Sequence, residues 1–275
     1  MKTTTTIILM AFFIVLPHSN KATWCDEPED SIGKNSEYQT ALRYYRDTYR
    51  QGSRFDSAYI ARAYYEMSNM DIKEGRYWQA VLHLRKAIRF DPYNNILYAA
   101  LGAVYNLQGN YPKAIECFEA ALKLNPNLSD AHVNLGNIYA ITGRYDRAIG
   151  YLEAALKLNP NNSDIYVGLA EIYNKKGNYP KAIECFEAAL KLNPSRSDCC
   201  LALSELYSNF GDYIRAIKYI EKSFSINPFN PEDRVRLGRL YLKIDDKENA
   251  LRQVAALKEI KRYDLAKEIE YLITE

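Results

Sequence analysis

The sequence is poor in the residues from which most enzyme and metal sites are built. Among 275 residues there are three histidines, five cysteines and 12 glycines. These numbers leave few candidates for histidine-rich metal sites or glycine-rich phosphate-binding loops. The H-E-x-x-H, G-x-S-x-G, Walker A and C-x-x-C patterns are all absent. We therefore predict that the protein is not an enzyme and holds no metal or cofactor.

The chain also lacks an excess of charge of either sign. Lys and Arg number 36 against 34 Asp and Glu, which gives a formal net charge of +2. Such a balance provides no basic field to attract nucleic acid, so we do not expect nucleic acid among the partners. Hydrophobic residues at 48% and charged residues at 25% exclude collagen-like, low-complexity and largely disordered chains.

Only one long apolar run occurs, from Ile7 to Leu16. Its ten residues match the core of a signal peptide and are too few to span a membrane. We predict that residues 1–22 are a secretory signal and that the protein is exported, to a periplasm or to the extracellular space.

Two alternatives for the N-terminus stay open. Lys2 and Lys21 enclose 18 uncharged residues, enough for an uncleaved membrane anchor through residues 3–20. Cys25 lies just beyond the apolar run, where a lipidated cysteine would lie, but Trp24 occupies a position that normally takes a small residue.

The rest of the chain is dominated by a repeat. The segment NYPKAIECFEAALKLNP occurs unchanged at Asn110–Pro126 and at Asn178–Pro194, 68 residues apart. A related copy at Tyr145–Pro160 lies midway and sets the period at 34 residues. Leucine, tyrosine, alanine and proline recur in this register, for example at Leu101, Leu135, Leu169, Leu203 and Leu237.

This pattern resembles the tetratricopeptide repeat family over about 200 of the residues. The resemblance implies an all-α fold, a right-handed superhelical solenoid of stacked antiparallel helix hairpins. The predicted array spans residues 61–262, with blocks at 61–94, 95–128, 129–162, 163–196, 197–230 and a degenerate 231–262. We predict an acidic linker and leading helix in residues 23–60, and a C-terminal capping helix in residues 263–275.

The residues of one block support a helical hairpin independently. Ala114, Phe118 and Ala121 are spaced i, i+4, i+7 and would form one apolar helix face. Gly109 predicts the turn before this helix, and Pro126 predicts its end. A Ser-Asp pair begins three blocks, and we predict the serine as the N-cap of the following helix at Ser129-Asp130, Ser163-Asp164 and Ser197-Asp198.

The cysteines favour buried thiols, with one disulfide alternative. Cys117 and Cys185 occupy the same repeat position two units apart, beyond disulfide reach. Cys185 could bridge to Cys199 or Cys200 on the next helix if the compartment is oxidising.

The other chemically active residues are interpreted as packing. His132 is expected to be a half-buried packing residue because no catalytic partners recur around it. Arg43, Arg46 and Arg50 are read as a solvated face rather than an anion site. Ten of the 24 tyrosines occupy repeat positions and are predicted to pack between helices: Tyr105, Tyr139, Tyr173, Tyr207, Tyr241, Tyr77, Tyr111, Tyr145, Tyr179 and Tyr213.

The resemblance places the candidate binding site on the first helix of each hairpin, where the family lines a concave groove that holds a peptide or a partner's helix. The matching positions are Asn69, Ala103, Asn137, Glu171, Glu205 and Arg239, then Ile72, Asn106, Ala140, Asn174, Ser208 and Leu242, with Asn134 and Asn209 beside them. This surface is rich in amides and becomes acidic in the later repeats. It would suit an extended backbone or a basic partner segment.

These observations predict a non-enzymatic scaffold or adaptor that binds a partner protein. The alternative is a membrane-tethered assembly factor or periplasmic chaperone for an envelope complex. Self-association through the apolar ends of the solenoid is a further expectation. A C-terminal carboxylate ligand is not expected, because only Asn69 matches the residues of the family's chaperone-tail clamp.

Overall fold

A computed structural model describes residues 57–228 and 230–274 of the chain. The predicted signal, the anchor alternative, Cys25, the predicted leading helix and the arginines at 43, 46 and 50 lie outside the described residues. Within them there are thirteen α-helices and no strand. The helices are α1 (Ser57–Lys73), α2 (Tyr77–Phe90), α3 (Asn95–Leu107), α4 (Tyr111–Leu124), α5 (Ser129–Ile141), α6 (Tyr145–Leu158), α7 (Ser163–Lys175), α8 (Tyr179–Leu192), α9 (Ser197–Asn209), α10 (Tyr213–Ile226), α11 (Pro231–Lys243), α12 (Lys247–Glu259) and α13 (Tyr263–Thr274).

Tertiary contacts divide the chain into two compact units, one ending at Ile138 and the other beginning at Tyr139, within α5. In the first unit α1 packs on α2, α2 on α3, and α3 on α4. Its core contains Leu84, Val104 and Phe118, and the ring of Phe118 lies against Gly102. Helical hairpins that bury their apolar faces against their neighbours are therefore the building unit here, as the sequence predicts.

The second unit continues the same pattern from α6 to α13, with each helix packed on the next. Its core includes Leu152, Phe186 and Ile220, one from each successive second helix. The last helix, α13, packs on both α11 and α12 and buries Ala266 and Ile269. It thereby covers the apolar face that the final hairpin would otherwise leave exposed.

Each hairpin turn depends on a left-handed backbone residue. Gly109 has φ +71°, and the amide of Asn110 donates to the carbonyl of Tyr105 at 2.8 Å, which closes the end of α3. Glycines with φ between +71° and +75° recur 34 residues apart at Gly75, Gly109, Gly143, Gly177 and Gly211. In the last hairpin Asp245 takes this conformation instead, with φ +59°.

The predicted serine N-caps at Ser163 and Ser197 are wrong by one residue, and the cap before Ser197 is Arg196, which makes no side-chain capping hydrogen bond. The side chain of Asn162 accepts a hydrogen bond from the amide of Asp164, so Asn162 is the cap and Ser163 is already the first helical residue. Asn94 and Asn230 cap α3 and α11 in the same way. The asparagine has the extended backbone that a cap requires, whereas the serine after it is helical.

Candidate functional site

The predicted groove positions of the second unit lie on the first helices of its hairpins. Glu171 and Asn174 are one turn apart on α7, and Glu205, Ser208 and Asn209 have the equivalent spacing on α9. Residues spaced i, i+3 and i+4 share one helix face. All five are at least partly exposed, so each helix presents a polar surface of acid, amide and hydroxyl groups.

Two acids of this surface are uncompensated. Glu171 and Glu205 are exposed and form no ion pair or hydrogen bond with any described residue. They occupy the same repeat position 34 residues apart. Because carboxylates without an ion-pair partner attract positive charge, these two side chains make the surface locally acidic.

The acids at the starts of α7 and α9 are different, because both pair with Arg196. Its guanidinium forms ion pairs with Asp164 in the first turn of α7 and, at 2.7 Å, with Asp198 in the first turn of α9. The hydrogen bond from Arg196 lowers the pKa of Asp198 below its usual value. This ion-pair network ties the starts of α7 and α9 together, and leaves Glu171 and Glu205 without an ion-pair partner among the described residues.

Arg239, the last of the predicted groove residues, has a partner within the chain. Its guanidinium forms an ion pair with Glu268 of the capping helix α13. We therefore assign Arg239 chiefly to holding α13 against α11.

The first unit contains six of the predicted groove positions, of which Asn106, Asn134 and Asn137 are nearest to the second unit in sequence. Asn137 is exposed, whereas Asn106 and Asn134 are half-buried. The Asn134 amide donates to the carbonyl of Asp130 at 2.8 Å, an interaction within α5. Asn137 is thus the most accessible of the three to a ligand.

A hydrogen bond between a tyrosine and a glutamate repeats from hairpin to hairpin and was not predicted from the sequence. The hydroxyl of Tyr207 lies 3.0 Å from the carboxylate of Glu187, and that of Tyr241 lies 2.7 Å from Glu221. Tyr173 and Glu153 form the same pair at 3.4 Å. The signal was present in the sequence, because each glutamate precedes its tyrosine by 20 residues.

Cations complete this arrangement. The Arg215 guanidinium lies 4.4 Å from the ring centre of Tyr207, and the Lys181 ammonium lies 5.1 Å from that of Tyr173. Desolvation, with the adjacent Glu187, raises the pKa of Tyr207. These tyrosines are therefore committed to packing, as predicted, rather than to stacking on a ligand. Tyr179 is more exposed than these tyrosines, although its ring contacts that of Phe210 in the next hairpin.

The four described cysteines and His132 are buried or half-buried. All four described cysteines are free thiols, so the Cys185 bridge is not formed. Burial raises the pKa of Cys185 to about 11 and that of Cys199 to about 12, which keeps them protonated and unreactive. His132 is half-buried, as predicted, with Nε2 3.0 Å from the Pro126 carbonyl oxygen.

Neither a metal cluster nor a membrane-spanning helix occurs in the part of the chain that the structure describes. Within residues 57–228 and 230–274, no group of three histidine, cysteine or carboxylate side chains is placed to hold a metal ion. In the same ranges no helix combines the length and apolarity needed to cross a bilayer.

The described helices thus define an all-helical repeat protein with a polar, partly acidic surface on its first helices. Three models described as tetratricopeptide repeat match the sequence, at residues 108–163, 139–198 and 197–230. Residues 108–230 therefore consist of tetratricopeptide repeats.

Solved structures show the same fold. PilF from Pseudomonas aeruginosa is 24% identical, with a TM-score of 0.61, and the match covers 78% of this chain and 97% of PilF. YrrB, described as a tetratricopeptide protein with an unusual peptide-binding site, is 21% identical over 68% of this chain and 97% of its own, with a TM-score of 0.57. PilW, described as a widely conserved type IV pilus biogenesis factor, is 18% identical over 76% and 98%, with a TM-score of 0.59. A search of curated proteins gave no match.

Proposed function

We propose that the protein is a non-catalytic scaffold that binds a basic peptide or helix of a partner protein on the first-helix surface of α7 and α9. The observation that carries this proposal is the pair of exposed, uncompensated carboxylates, Glu171 and Glu205, at one repeat position on successive hairpins. Asn174, Ser208 and Asn209 lie one turn further along and would bond to a partner backbone. A peptide-binding function is described for YrrB, which has the same fold.

The charge on this surface provides the test. We expect the double variant Glu171→Lys, Glu205→Lys to lose partners in a crosslinking pull-down from the source cells, with affinity at least about tenfold weaker for any purified partner. Both side chains are exposed, so the fold should be retained, which circular dichroism would verify.

A matched control places the same charge change elsewhere. Glu184 on α8 and Glu259 on α12 are exposed and form no ion pair with any described residue, and they lie on second helices. The variant Glu184→Lys, Glu259→Lys should retain the partners. If both double variants retain them equally, the first-helix surface is not the binding site.

We further propose that the protein is exported, on the basis of the apolar run Ile7–Leu16. Mass spectrometry of the protein from its native cells should then find an N-terminus near residue 23. An intact N-terminus in the membrane fraction would instead favour the tethered assembly factor, a role related to that described for PilW.

A further inference from the structure

A second surface lies at the hairpin turns of the second unit, and we name it the turn edge. It consists of residues 143–147, 176–179 and 210–214, from three consecutive hairpins. Lys176 of the second turn forms an ion pair with Asp146 of the first. The ring of Tyr179 contacts that of Phe210 edge-on, with centres 5.7 Å apart, which joins the second turn to the third. The three turns therefore form one continuous surface.

One end of the turn edge is apolar and exposed. The exposed fractions are 42% for Tyr179, 56% for Phe210 and 74% for Ile214. Earlier hairpins have Gln108, Thr142 and Lys176 at the position of Phe210, and Pro112, Asp146 and Pro180 at that of Ile214. The apolar character thus belongs to this hairpin and is no requirement of the repeat, because the other hairpins fold without it.

The other end of the turn edge is a cationic cleft. Its volume is about 440 Å³, and it is lined by Arg144, Arg147, Lys176 and Asp146 among others. Asp146 neutralises Lys176, but Arg144 and Arg147 have no carboxylate partner among the described residues. The two guanidinium groups lie 6.0 and 5.5 Å from the ring centre of Tyr139, which orients them without cancelling their charge.

We propose that the turn edge binds an extended partner-protein segment in which a carboxylate side chain and a large apolar side chain are separated by several residues. The carboxylate enters the cleft and accepts hydrogen bonds from Arg144 and Arg147, whose planar donors match carboxylate geometry. The apolar side chain covers Phe210 and Ile214, which removes their exposed surface from water. Charge complementarity selects an acidic segment, the opposite preference from the surface that bears Glu171 and Glu205.

The proposal can be tested with a random 12-residue peptide library displayed on phage and selected against the full chain. We expect the enriched peptides to combine Asp or Glu with an aromatic or large aliphatic residue several positions away. Synthetic copies of the enriched peptides are then titrated by fluorescence anisotropy. The variant Arg144→Glu, Arg147→Glu and the variant Phe210→Ser, Ile214→Ser should each weaken binding at least about tenfold.

Two controls separate this surface from the others. The variant Lys191→Glu, Lys218→Glu reverses two exposed cations outside the turn edge and should change affinity less than about twofold. The groove variant Glu171→Lys, Glu205→Lys should also leave these peptides bound, so failure of the proposed function and failure of this inference are distinguishable.

Several results would overturn the inference. Enriched peptides without acidic residues would do so, as would affinities unchanged by both turn-edge variants, or a selection that yields no peptide specific to the wild type. Sedimentation velocity provides a further check. If the wild type dimerises and the turn-edge variants are monomers, the surface binds a second copy of the chain and the partner segment is wrong.

Discussion

Two buried aspartates, one in each unit, occupy repeat positions that are aromatic or apolar in other hairpins. Asp71 in α1 stands where later hairpins have tyrosines such as Tyr207. Asp233 in α11 stands at the position of Ile165 and Cys199. Burial of a carboxylate is costly unless it is paired and hydrogen-bonded, so the two sites differ according to what their neighbours provide.

Both carboxylate oxygens of Asp71 have hydrogen-bonding partners. Its Oδ1 accepts from Arg76 Nε at 2.9 Å, and its Oδ2 lies 2.7 Å from His83 Nδ1. His83 itself occupies the position of Tyr219, which stacks on Tyr207 with ring centres 5.6 Å apart in the fifth hairpin. The first hairpin has therefore exchanged both members of a tyrosine pair for an acid and a hydrogen-bonding base.

Only one carboxylate oxygen of Asp233 has a hydrogen-bonding partner among the described residues. Ser223 lies 3.4 Å from its Oδ2, while Oδ1 has no hydrogen-bond donor among the described residues and lies 3.7 Å from Arg236. Burial raises the pKa of this carboxyl, and the nearby Arg236 opposes the shift only in part. The comparison indicates that a buried polar residue costs a repeat little stability only when the residue that contacts it has also changed.

The largest expected effect follows removal of Asp71. Asp71→Ala removes the carboxylate that pairs with the buried His83 and with Arg76. Among the described residues, Arg76 then keeps only its ion pair with Glu74. This substitution should lower the free energy of unfolding by about 3 kcal/mol. Urea unfolding monitored by circular dichroism measures the change.

A double substitution makes that test specific. Asp71→Tyr with His83→Tyr restores the tyrosine pair of the fifth hairpin and should recover most of the lost stability. Glu116→Ala, an exposed control on α4, should change it by less than about 0.5 kcal/mol. A double variant no more stable than Asp71→Ala would show that the two hairpins are not equivalent in packing.

The second-largest expected effect is an increase in the free energy of unfolding. Asp233→Asn should increase stability by about 1 kcal/mol at pH 7.5, because an amide avoids burial of a charge. The native pKa of Asp233 is raised above the unfolded value, so its stabilising contribution is complete below a pH of about 4 and is lost as the pH rises through the native pKa.

The advantage of the asparagine should therefore vanish toward pH 4. Urea midpoints of both proteins at pH 4 and pH 7.5 provide the comparison. An advantage equal at both pH values would mean that ionisation of Asp233 is not the source of the cost.

The smallest effect concerns the turn at Asp245. This residue adopts φ +59°, where all five earlier hairpins with a described turn have glycine. Asp245→Gly relieves the left-handed strain but increases the entropy of the unfolded chain, so a net gain of about 0.5 kcal/mol is expected from thermal unfolding. Gly211→Asp, the reverse change in the fifth hairpin, should destabilise by a similar amount.

The candidate site was partly predictable. The 34-residue register places Glu171 and Glu205 on equivalent helix faces because helical periodicity alone fixes which residues share a face. The register did not predict the helix caps correctly, because Asn162 rather than Ser163 has the extended backbone. The register also could not reveal that Arg239 pairs with Glu268, since the partner lies on another helix and departs from the repeat.

The sequence by itself determined the hairpins, their period and the face that each helix buries, because these follow from apolar spacing and from glycine and proline at the turns. Only the tertiary structure decided which charges are cancelled. It gave Asp71 two partners and Asp233 an incomplete set, and it joined Asp146, Lys176, Tyr179 and Phe210 into one turn edge. Charge compensation depends on distances between side chains of different helices, and packing sets those distances.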